Sequence, residues 1–176
     1  METADAWRWR AAGAGDIDTL VRIDAEAEPL FHGAGLVFSG PHILAFAAAE
    51  RARWLSACER GLAQLIIDAN GRPVAFSVLA YVDGRPYLDQ LSVVVDSMRR
   101  GLGRALLAHA YEWAAPHGEL WLTTYAHVPW NGPMYARAGF VQVNEGRCGS
   151  EMRAILDEQR AALPEPEQRI AMVRRA

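Results

Sequence analysis

The sequence predicts a mixed α/β fold in which helices pack on a largely antiparallel sheet. Strand-like runs at 63–67 and 74–82 flank a turn that contains Asn70-Gly71, which favours a β-hairpin. Several longer segments carry apolar residues three and four positions apart, which is the period of an amphipathic helix. Glycine and proline are spread along all 176 residues without a long linker, and we therefore expect one domain, 1–176.

The first half of the chain supplies the elements on either side of this hairpin. Alternation predicts a strand over 7–10, and Asp16 can cap the helix that follows. Pro29 ends or bends this helix, because a proline ring blocks the preceding turn. The face of this helix contains Ile17, Leu20, Val21 and Asp24, and Glu28 extends it. Pro41 opens a second helix, whose predicted buried stripe is Leu44, Ala48, Leu55 and Leu62. A strand over 87–95 follows the hairpin.

The second half alternates helices and strands. A helix over 101–115 has a predicted core stripe of Leu102, Leu106, Ala110 and Trp113. A strand over 119–125 and a short helix over 131–138 follow, and Gly139 is a natural C-terminal cap. The last elements are a strand over 140–143, a helix over 151–163 that Pro164 ends, and a strand over 169–174.

Composition and charge exclude several classes of protein. Hydrophobic residues make up 51% and charged residues 22%, with a net charge of −3, so we expect neither a disordered chain nor a nucleic-acid or membrane partner. Cys58 and Cys148 lie in no metal-binding or disulfide spacing, which predicts no metal and a reducing, cytoplasmic location. The N-terminal segment has no secretory pattern, and the apolar runs are too short to cross a bilayer.

A glycine turn before the helix at 101–115 is the first candidate site. Its residues include Arg99, Arg100, Gly101, Gly103 and Arg104. The first N–H groups of a helix lack intrahelical acceptors and carry partial positive charge, and glycine lets a phosphate approach the backbone. The pattern lacks the Lys-Ser/Thr of a P-loop, and Leu106 replaces the third glycine of a dinucleotide fingerprint. The turn therefore predicts an anion site of a different kind.

A second segment, 123–143, contains Tyr135-Ala136-Arg137-Ala138-Gly139-Phe140. Together with the glycine turn, and in this order, it resembles the GNAT N-acetyltransferase superfamily. The run Val128-Pro129-Trp130-Asn131-Gly132-Pro133 is similar to a subset of the bacterial members. The resemblance implies a mixed, mostly antiparallel sheet of about six to seven strands with a splayed central pair, flanked by about four to five helices.

The resemblance also implies how the chain binds acetyl-CoA, its expected co-substrate. The strand residues that would contact the pantetheine are Leu91, Val93 and Val95. The turn residues that would surround the pyrophosphate are Arg99, Arg100, Gly101, Leu102, Gly103 and Arg104. Asn131 would either contact the same molecule or cap its own helix. A backbone N–H between Leu91 and Val93 would stabilise negative charge on the carbonyl oxygen, and Tyr135 would give the leaving thiolate a proton.

The residue that removes the proton of the amine is less sharply defined by the sequence. Strand alternation puts Tyr87, Asp89, Leu91 and Val93 on one face, and the resemblance favours Asp89 as the base. Glu28 is the alternative, since repulsion between Glu28 and Asp24, four residues earlier, could raise the pKa of one of the two carboxyl groups.

His127, just past the strand at 119–125, is a third candidate base. We expect Glu28, Phe31 and Tyr87 to bind the acceptor. Phe38 and Trp130 either line the same pocket or fill a core.

The resemblance implies an acetyl-CoA-dependent N-acetyltransferase, and we expect its acceptor to be a small, cationic amine. The acidic residues near the expected cleft, Asp24, Glu26, Glu28 and Asp89, favour the positive charge of the acceptor. Two alternatives remain open: an enzyme that acetylates a protein or peptide amine, and a catalytically inactive acyl-CoA-binding sensor. The resemblance is also compatible with a homodimer.

Overall fold

A seven-stranded sheet with strand order β1-β2-β3-β4-β5-β7-β6 forms the centre of the computed structural model, which describes residues 7–176. The strands are β1 Arg8–Ala11, β2 Ala63–Ile67, β3 Pro73–Val82, β4 Arg85–Val93, β5 Glu119–Tyr125, β6 Val141–Val143 and β7 Arg169–Arg175. The helices are α1 Ile17–Ala27, α2 Pro29–Gly33, α3 Ile43–Glu59, α4 Leu102–Ala114, α5 Gly132–Arg137 and α6 Ser150–Ala162. The predicted mixed α/β architecture is confirmed. The short α2 brings the helices to six in the described residues, since a new helix begins at Pro29 where the first one ends.

The strands β4 and β5 form the parallel pair in the middle of this sheet, and the pair is short. Tyr87 lies opposite Trp121 and Leu88 opposite Leu122, while the other neighbouring strands run antiparallel. Beyond Leu88 and Leu122 the two strands separate, so the centre of the sheet opens into a gap at their C-terminal ends.

Helices cover both faces of the sheet. Leu88 and Leu122 cluster with Leu107 and Ala110 of α4. The neighbouring residues Tyr87 and Trp121 cluster instead with Met152 and Leu156 of α6. Since successive side chains of a strand point to opposite faces, α4 lies on one face and α6 on the other. Helix α3 contacts α6 and α1, which places these three helices together on the face opposite α4.

Most predicted elements are present, and their limits differ from the predicted ones by at most three residues. The hairpin of β2 and β3 is confirmed, and β5 covers 119–125 as predicted. The strand predicted over 87–95 ends earlier, at Val93, and Val95 lies exposed in a 3₁₀ turn over Val95–Ser97. No helix of residues 7–176 combines the length and the apolar character needed to cross a membrane.

The predicted buried stripes of α1 and α3 are partly wrong. In α1 the inward residue is Ile23 rather than Val21, which is 38% exposed. In α3 the core contacts come from Trp54, Ala57 and Cys58 near its C-terminal end, and Leu44 is 82% exposed. The predicted stripe of α3 placed Ala48, Leu55 and Leu62 seven residues apart, and residues at that spacing gradually rotate around a straight helix. The stripe also extended to Leu62, although the helix ends at Glu59.

Candidate active site

The gap between β4 and β5 exposes unpaired backbone groups. Val94 donates its N–H to Val74 of β3 at 2.9 Å. Because N–H groups alternate along an antiparallel strand, those of Val93 and Leu91 point the other way, toward the gap. The strand therefore presents a short row of donors and acceptors to an extended ligand, at the residues predicted to contact pantetheine.

The glycine turn lies at the mouth of this gap. Gly101 has φ 86°, a left-handed conformation that favours glycine, and it precedes the first residue of α4. The first intrahelical bond runs from Ala105 N to Gly101 O at 2.9 Å, so the N–H groups of the three residues between them have no acceptor in the helix. A Cβ on Gly103 would contact Leu91 Cδ2 at 3.8 Å, which places the helix start against β4.

The arginines of the turn add positive charge around these free N–H groups. Arg99 adopts a left-handed φ of 60°, and Arg100 lies with its guanidinium 5.9 Å from the ring centre of Trp7. Arg99 and Arg104 are exposed. Space is open beside Gly101. Helical N–H donors, open space and basic side chains together fit a diphosphate.

Tyr135 lies in α5, on the same side of the sheet as α4. Its side chain clusters with Leu107, and its ring meets Phe140 edge-on at 5.6 Å. Burial raises the pKa of the Tyr135 hydroxyl to about 12, and the positive charge of Arg169 opposes this shift. At neutral pH the hydroxyl therefore keeps its proton and can donate it. The same cluster includes Leu91 at its edge, so the tyrosine lies on the side of the gap where β4 exposes its backbone.

Gly132 positions this tyrosine, a role that the sequence analysis missed. A Cβ at Gly132 would lie 2.6 Å from the carbonyl oxygen of Ala126 and 2.9 Å from that of Tyr125. Only glycine lets the start of α5 approach the end of β5 so closely. The helix ends at Arg137, and Gly139, the predicted cap, follows with a left-handed φ of 92°. The Asn131 side chain makes no capping hydrogen bond, so its predicted contact with acetyl-CoA remains a prediction.

A bulge in β4 overturns the predicted facing of its side chains. Leu79 pairs with Leu88 and Val78 with Gln90, which leaves Asp89 as an extra residue. One extra residue reverses the alternation beyond it. Tyr87 and Asp89 face α3 and α6, whereas Leu91 and Val93 face α4. The expectation that all four share a face is therefore wrong.

Asp89 lies in a buried position on the face of α3 and α6. Its side chain is 8% exposed and pairs with Arg53 of α3 at 3.4 Å. Burial raises the pKa of the Asp89 carboxyl, and the charge of Arg53 partly opposes that effect. Tyr87 is also buried, and its hydroxyl shares a hydrogen bond of 2.8 Å with Thr123 Oγ1 of β5.

A second carboxyl group, Asp24, reaches the splayed half of β4 from α1. One oxygen of Asp24 accepts hydrogen bonds of 2.6 Å from Gln90 Nε2 and 2.6 Å from Ser92 Oγ. Burial raises the pKa of Asp24, while the two hydrogen bonds lower it. In the sequence, Asp24 stood out only as a neighbour of Glu28. The structure instead makes it a direct partner of the strand.

A third carboxyl group, Glu50 of α3, did not stand out in the sequence. Burial, then the negative charges of Asp24 and Asp89, raise its pKa to about 8. Glu50 lies in an alanine-rich run before Arg51, where a charged residue is usually a solvated one. Its one sequence signal was Arg53 three residues later, a spacing that brings side chains together on a helix.

The opposite wall of the gap carries a buried cation, which the sequence analysis also missed. Arg169, at the start of β7, is 8% exposed, and its guanidinium lies 4.6 Å from the ring centre of Tyr125. It donates to Gln159 Oε1 of α6 at 2.8 Å and to Thr123 Oγ1 at 3.5 Å. Burial lowers the pKa of this guanidinium.

The remaining predicted residues lie farther from these groups. Glu28 pairs with His32 at 3.2 Å on an exposed surface, although its charge still raises the pKa of Asp24. His127 pairs with Glu165 at 2.7 Å. Their roles as bases remain predictions.

Phe31 packs edge-on against Phe38 at 5.6 Å and Trp130 at 5.7 Å. This aromatic cluster adjoins Tyr125, at the open end of β5. The packing accounts for all three rings as a small core, and their predicted contact with an acceptor remains a prediction.

A pocket of about 440 Å³ opens between α3 and α6, on the face of the sheet opposite α4. Its polar lining includes Arg53, Tyr87, Asp89, Glu158 and Gln159. The pocket therefore reaches β4 at the bulge from one face, while the glycine turn and Tyr135 reach the strand from the other. In residues 7–176 no group of three or more His, Cys, Asp or Glu side chains is arranged to hold a metal ion.

Solved structures share this fold at low sequence identity. The PaiA N-acetyltransferase of Thermoplasma acidophilum, in complex with coenzyme A, is 15% identical with a TM-score of 0.69, and the match covers 97% of this chain and 99% of that one. The ribosomal-protein-S18-alanine N-acetyltransferase of Escherichia coli is 19% identical with a TM-score of 0.60, over 97% and 94% of the two chains. The N-acetylglutamate synthase of Neisseria gonorrhoeae, complexed with coenzyme A and N-acetyl-glutamate, is 18% identical with a TM-score of 0.65. That match covers 98% of this chain but 36% of the synthase.

The fold is thus that of the N-acetyltransferases, and the predicted splayed sheet is confirmed. The model of the acetyltransferase (GNAT) family matches residues 26–140, about two thirds of the sequence. The chain belongs to the GNAT acetyltransferase family. The segment 141–176, which contains α6 and Arg169, lies outside the matched region.

Proposed function

We propose that this protein transfers an acetyl group from acetyl-CoA directly to the amine of a small acceptor that arrives as a cation. The observation that carries the proposal is the gap between β4 and β5, which has different chemistry on its two sides. The glycine turn and Tyr135 adjoin it on the α4 side. Buried carboxyl groups and a pocket adjoin it on the side of α3 and α6.

The residues of the glycine turn would hold the donor. The free N–H groups at the start of α4 suit the diphosphate, and the outward backbone groups of Leu91 and Val93 suit an extended pantetheine chain. When bound, acetyl-CoA supplies the acetyl group as a thioester. A backbone N–H of β4 would stabilise the negative charge that develops on the carbonyl oxygen, a contribution of about 3–4 kcal/mol in other enzymes.

Proton transfer would involve groups on both sides of the gap. The acceptor must lose a proton, because an alkylammonium with a pKa of about 10 is not a nucleophile. Asp89 and Glu50 are the two carboxyl groups proposed to accept it. Glu50 is favoured, since its pKa of about 8 is near the working pH, whereas Asp89 is already paired with Arg53. Tyr135 would give its proton to the departing sulfur.

The test combines calorimetry with an amine panel. Titration with acetyl-CoA should show binding, and thiol release with mass detection of an acetylated product should show turnover on small amines. Binding without turnover on any amine would favour the acyl-CoA sensor and refute the proposal. Turnover restricted to peptide or protein amines would support the macromolecular alternative.

We further propose a cytoplasmic location and no nucleic-acid or membrane partner. Cys58 and Cys148 are buried free thiols, which suits a reducing compartment. The run Val128-Pro129-Trp130-Asn131-Gly132-Pro133 favours the bacterial subset of the family, and a homodimer is an assembly that the family resemblance allows.

A further inference from the structure

We propose that the acceptor is a zwitterion of the amino-acid type, whose carboxylate binds the guanidinium of Arg169 and whose amine faces the carboxyl groups on the opposite wall of the gap. This inference rests on the proposed function. It adds a negatively charged group to an acceptor so far defined only by its amine.

Arg169 is a buried cation whose hydrogen-bond acceptors are neutral side chains. Its Nε and Nη2 donate to Gln159 Oε1 at 3.3 and 2.8 Å, and Nη2 lies 3.5 Å from Thr123 Oγ1. Across residues 7–176, no carboxylate lies within ion-pair distance of the guanidinium, and Nη1 has no hydrogen-bond acceptor. A buried charge without a counter-ion is energetically unfavourable, because it has lost its hydration. A ligand anion would supply the missing partner.

The guanidinium of Arg169 lies beside the part of β5 that borders the gap. Thr123 and Tyr125 belong to the part of β5 beyond Leu122, where the strand no longer pairs with β4. Arg169 lies directly opposite Tyr125 in the pairing of β5 with β7. The guanidinium is therefore fixed on the β5 wall of the gap, and Gln159 and Tyr125 hold it there by a hydrogen bond and by its ring face.

The facing wall of the gap, formed by β4, carries carboxyl groups. Asp24 is bonded to Gln90 and Ser92 of β4, and Asp89 lies at the bulge of the same strand. The charges of Asp24 and Asp89 raise the pKa of Glu50 on α3, and the charge of Arg169 lowers it. Carboxyl groups thus line the β4 wall, and the buried cation lies on the β5 wall.

This separation of charge suits a molecule that carries both signs a few bonds apart. An α-amino acid could place its carboxylate on Nη1 and Nη2 of Arg169 and its amine toward Glu50. A simple amine or polyamine would instead bring a second cation toward a guanidinium that has no counter-ion. Because Arg169 and Gln159 belong to 141–176, the recognition would come from the part of the chain outside the family match.

The experiment compares matched acceptors that differ only in the acidic group. Phenylalanine, phenylalaninamide and phenethylamine form one triplet, and methionine with its amide and its decarboxylated amine forms a second. Initial rates of thiol release with acetyl-CoA give kcat and KM for each compound. For at least one triplet, kcat/KM of the amino acid should exceed that of both analogues about tenfold or more.

Variants then assign this preference to Arg169. Arg169→Gln should remove it mainly through a higher KM for the amino acid, and Arg169→Lys should keep part of it. Arg153→Gln, at an exposed position of α6, is the matched control and should change neither the preference nor the KM for the amino acid. Retained acetyl-CoA binding by calorimetry shows that each variant is folded. If Arg169→Gln does not fold, the wild-type triplets still decide the question.

Three results would overturn the inference. The first is equal rates within every triplet, and the second is a preference for the amide or the decarboxylated amine. The third is an Arg169→Gln enzyme that acts more slowly on all compounds but keeps the preference, which would assign the cation to the transfer step or to the fold. Acetylation without a carboxylate preference would reject this inference alone, whereas no acetylation of any amine would reject the proposed function as well.

Discussion

Replacement of Glu50 by glutamine should make the protein more stable at high pH than the wild type. The carboxyl group of Glu50 has a pKa of about 8 in the folded chain, against an ordinary value of 4.5. Below about pH 4.5 both states hold the proton, so the group adds no pH dependence. Between that value and about 8 the unfolded chain releases the proton first, and wild-type stability falls as the pH rises. Above about 8 the loss is complete.

The slope of this loss is about 1.4 kcal/mol per pH unit, which gives an upper limit of about 5 kcal/mol over the interval. Asp24 and Asp89 are coupled to Glu50, and solvent reaches part of the side chain, so we expect about 2–3 kcal/mol between the variant and the wild type at pH 8.5. At pH 5 the two free energies of unfolding should be nearly equal.

Urea denaturation of both proteins at pH 5, 7 and 8.5 measures this difference. Glu59→Gln, an exposed position on the same helix, is the control and should show a difference that does not vary with pH. If the difference in the free energy of unfolding between the wild type and Glu50→Gln stays constant from pH 5 to 8.5, Glu50 is solvated. That result would remove the main reason for choosing Glu50 as the base.

Three further substitutions test the donor side of the site. Tyr135→Phe should lower kcat about 100-fold with little change in acetyl-CoA affinity, and an unchanged kcat would exclude the hydroxyl as the acid. Gly103→Glu should abolish acetyl-CoA binding in calorimetry, because it brings a bulky negative group to the diphosphate site. Gly103→Ala is the control and should still bind acetyl-CoA, since its Cβ would lie no closer than 3.8 Å to its neighbours. Gly132→Ala should lower kcat at least tenfold, because its Cβ would lie 2.6 Å from Ala126 O and α5 must move, while Gly33→Ala, with open space around it, should not. Normal kcat in the Gly132→Ala enzyme would show that the position of α5 is not critical.

The sequence was most informative where a local pattern determines the structure. The limits of β5, the turn at Gly101 and the cap at Gly139 follow from alternation, from helix ends and from the conformational freedom of glycine. These features define the donor side, and they are the residues on which the family resemblance was based.

The acceptor side was much less predictable, since its residues meet only through long-range packing. Asp24, Glu50 and Arg169 come from three elements that are far apart in the sequence. No periodicity brings them together. Their proximity depends on which helices share a face of the sheet and on β7 lying between β5 and β6. A single charged residue on a helix is normally solvated, so the nearby Arg53 was the one local signal that set Glu50 apart.

The bulge at Asp89 explains why strand alternation predicted the wrong facing for Asp89. It also explains how β4 contributes to the candidate site on both faces of the sheet. With regular alternation, Asp89 would face the same side as Leu91 and Val93, toward α4 and the glycine turn. The extra residue turns Asp89 toward α3 and α6 while Leu91 and Val93 stay with α4. One strand can then present backbone groups to the donor within the sheet and a carboxylate to the acceptor from the other face. Under the proposed function, the bulge allows the amine and the thioester to approach from opposite sides of the gap.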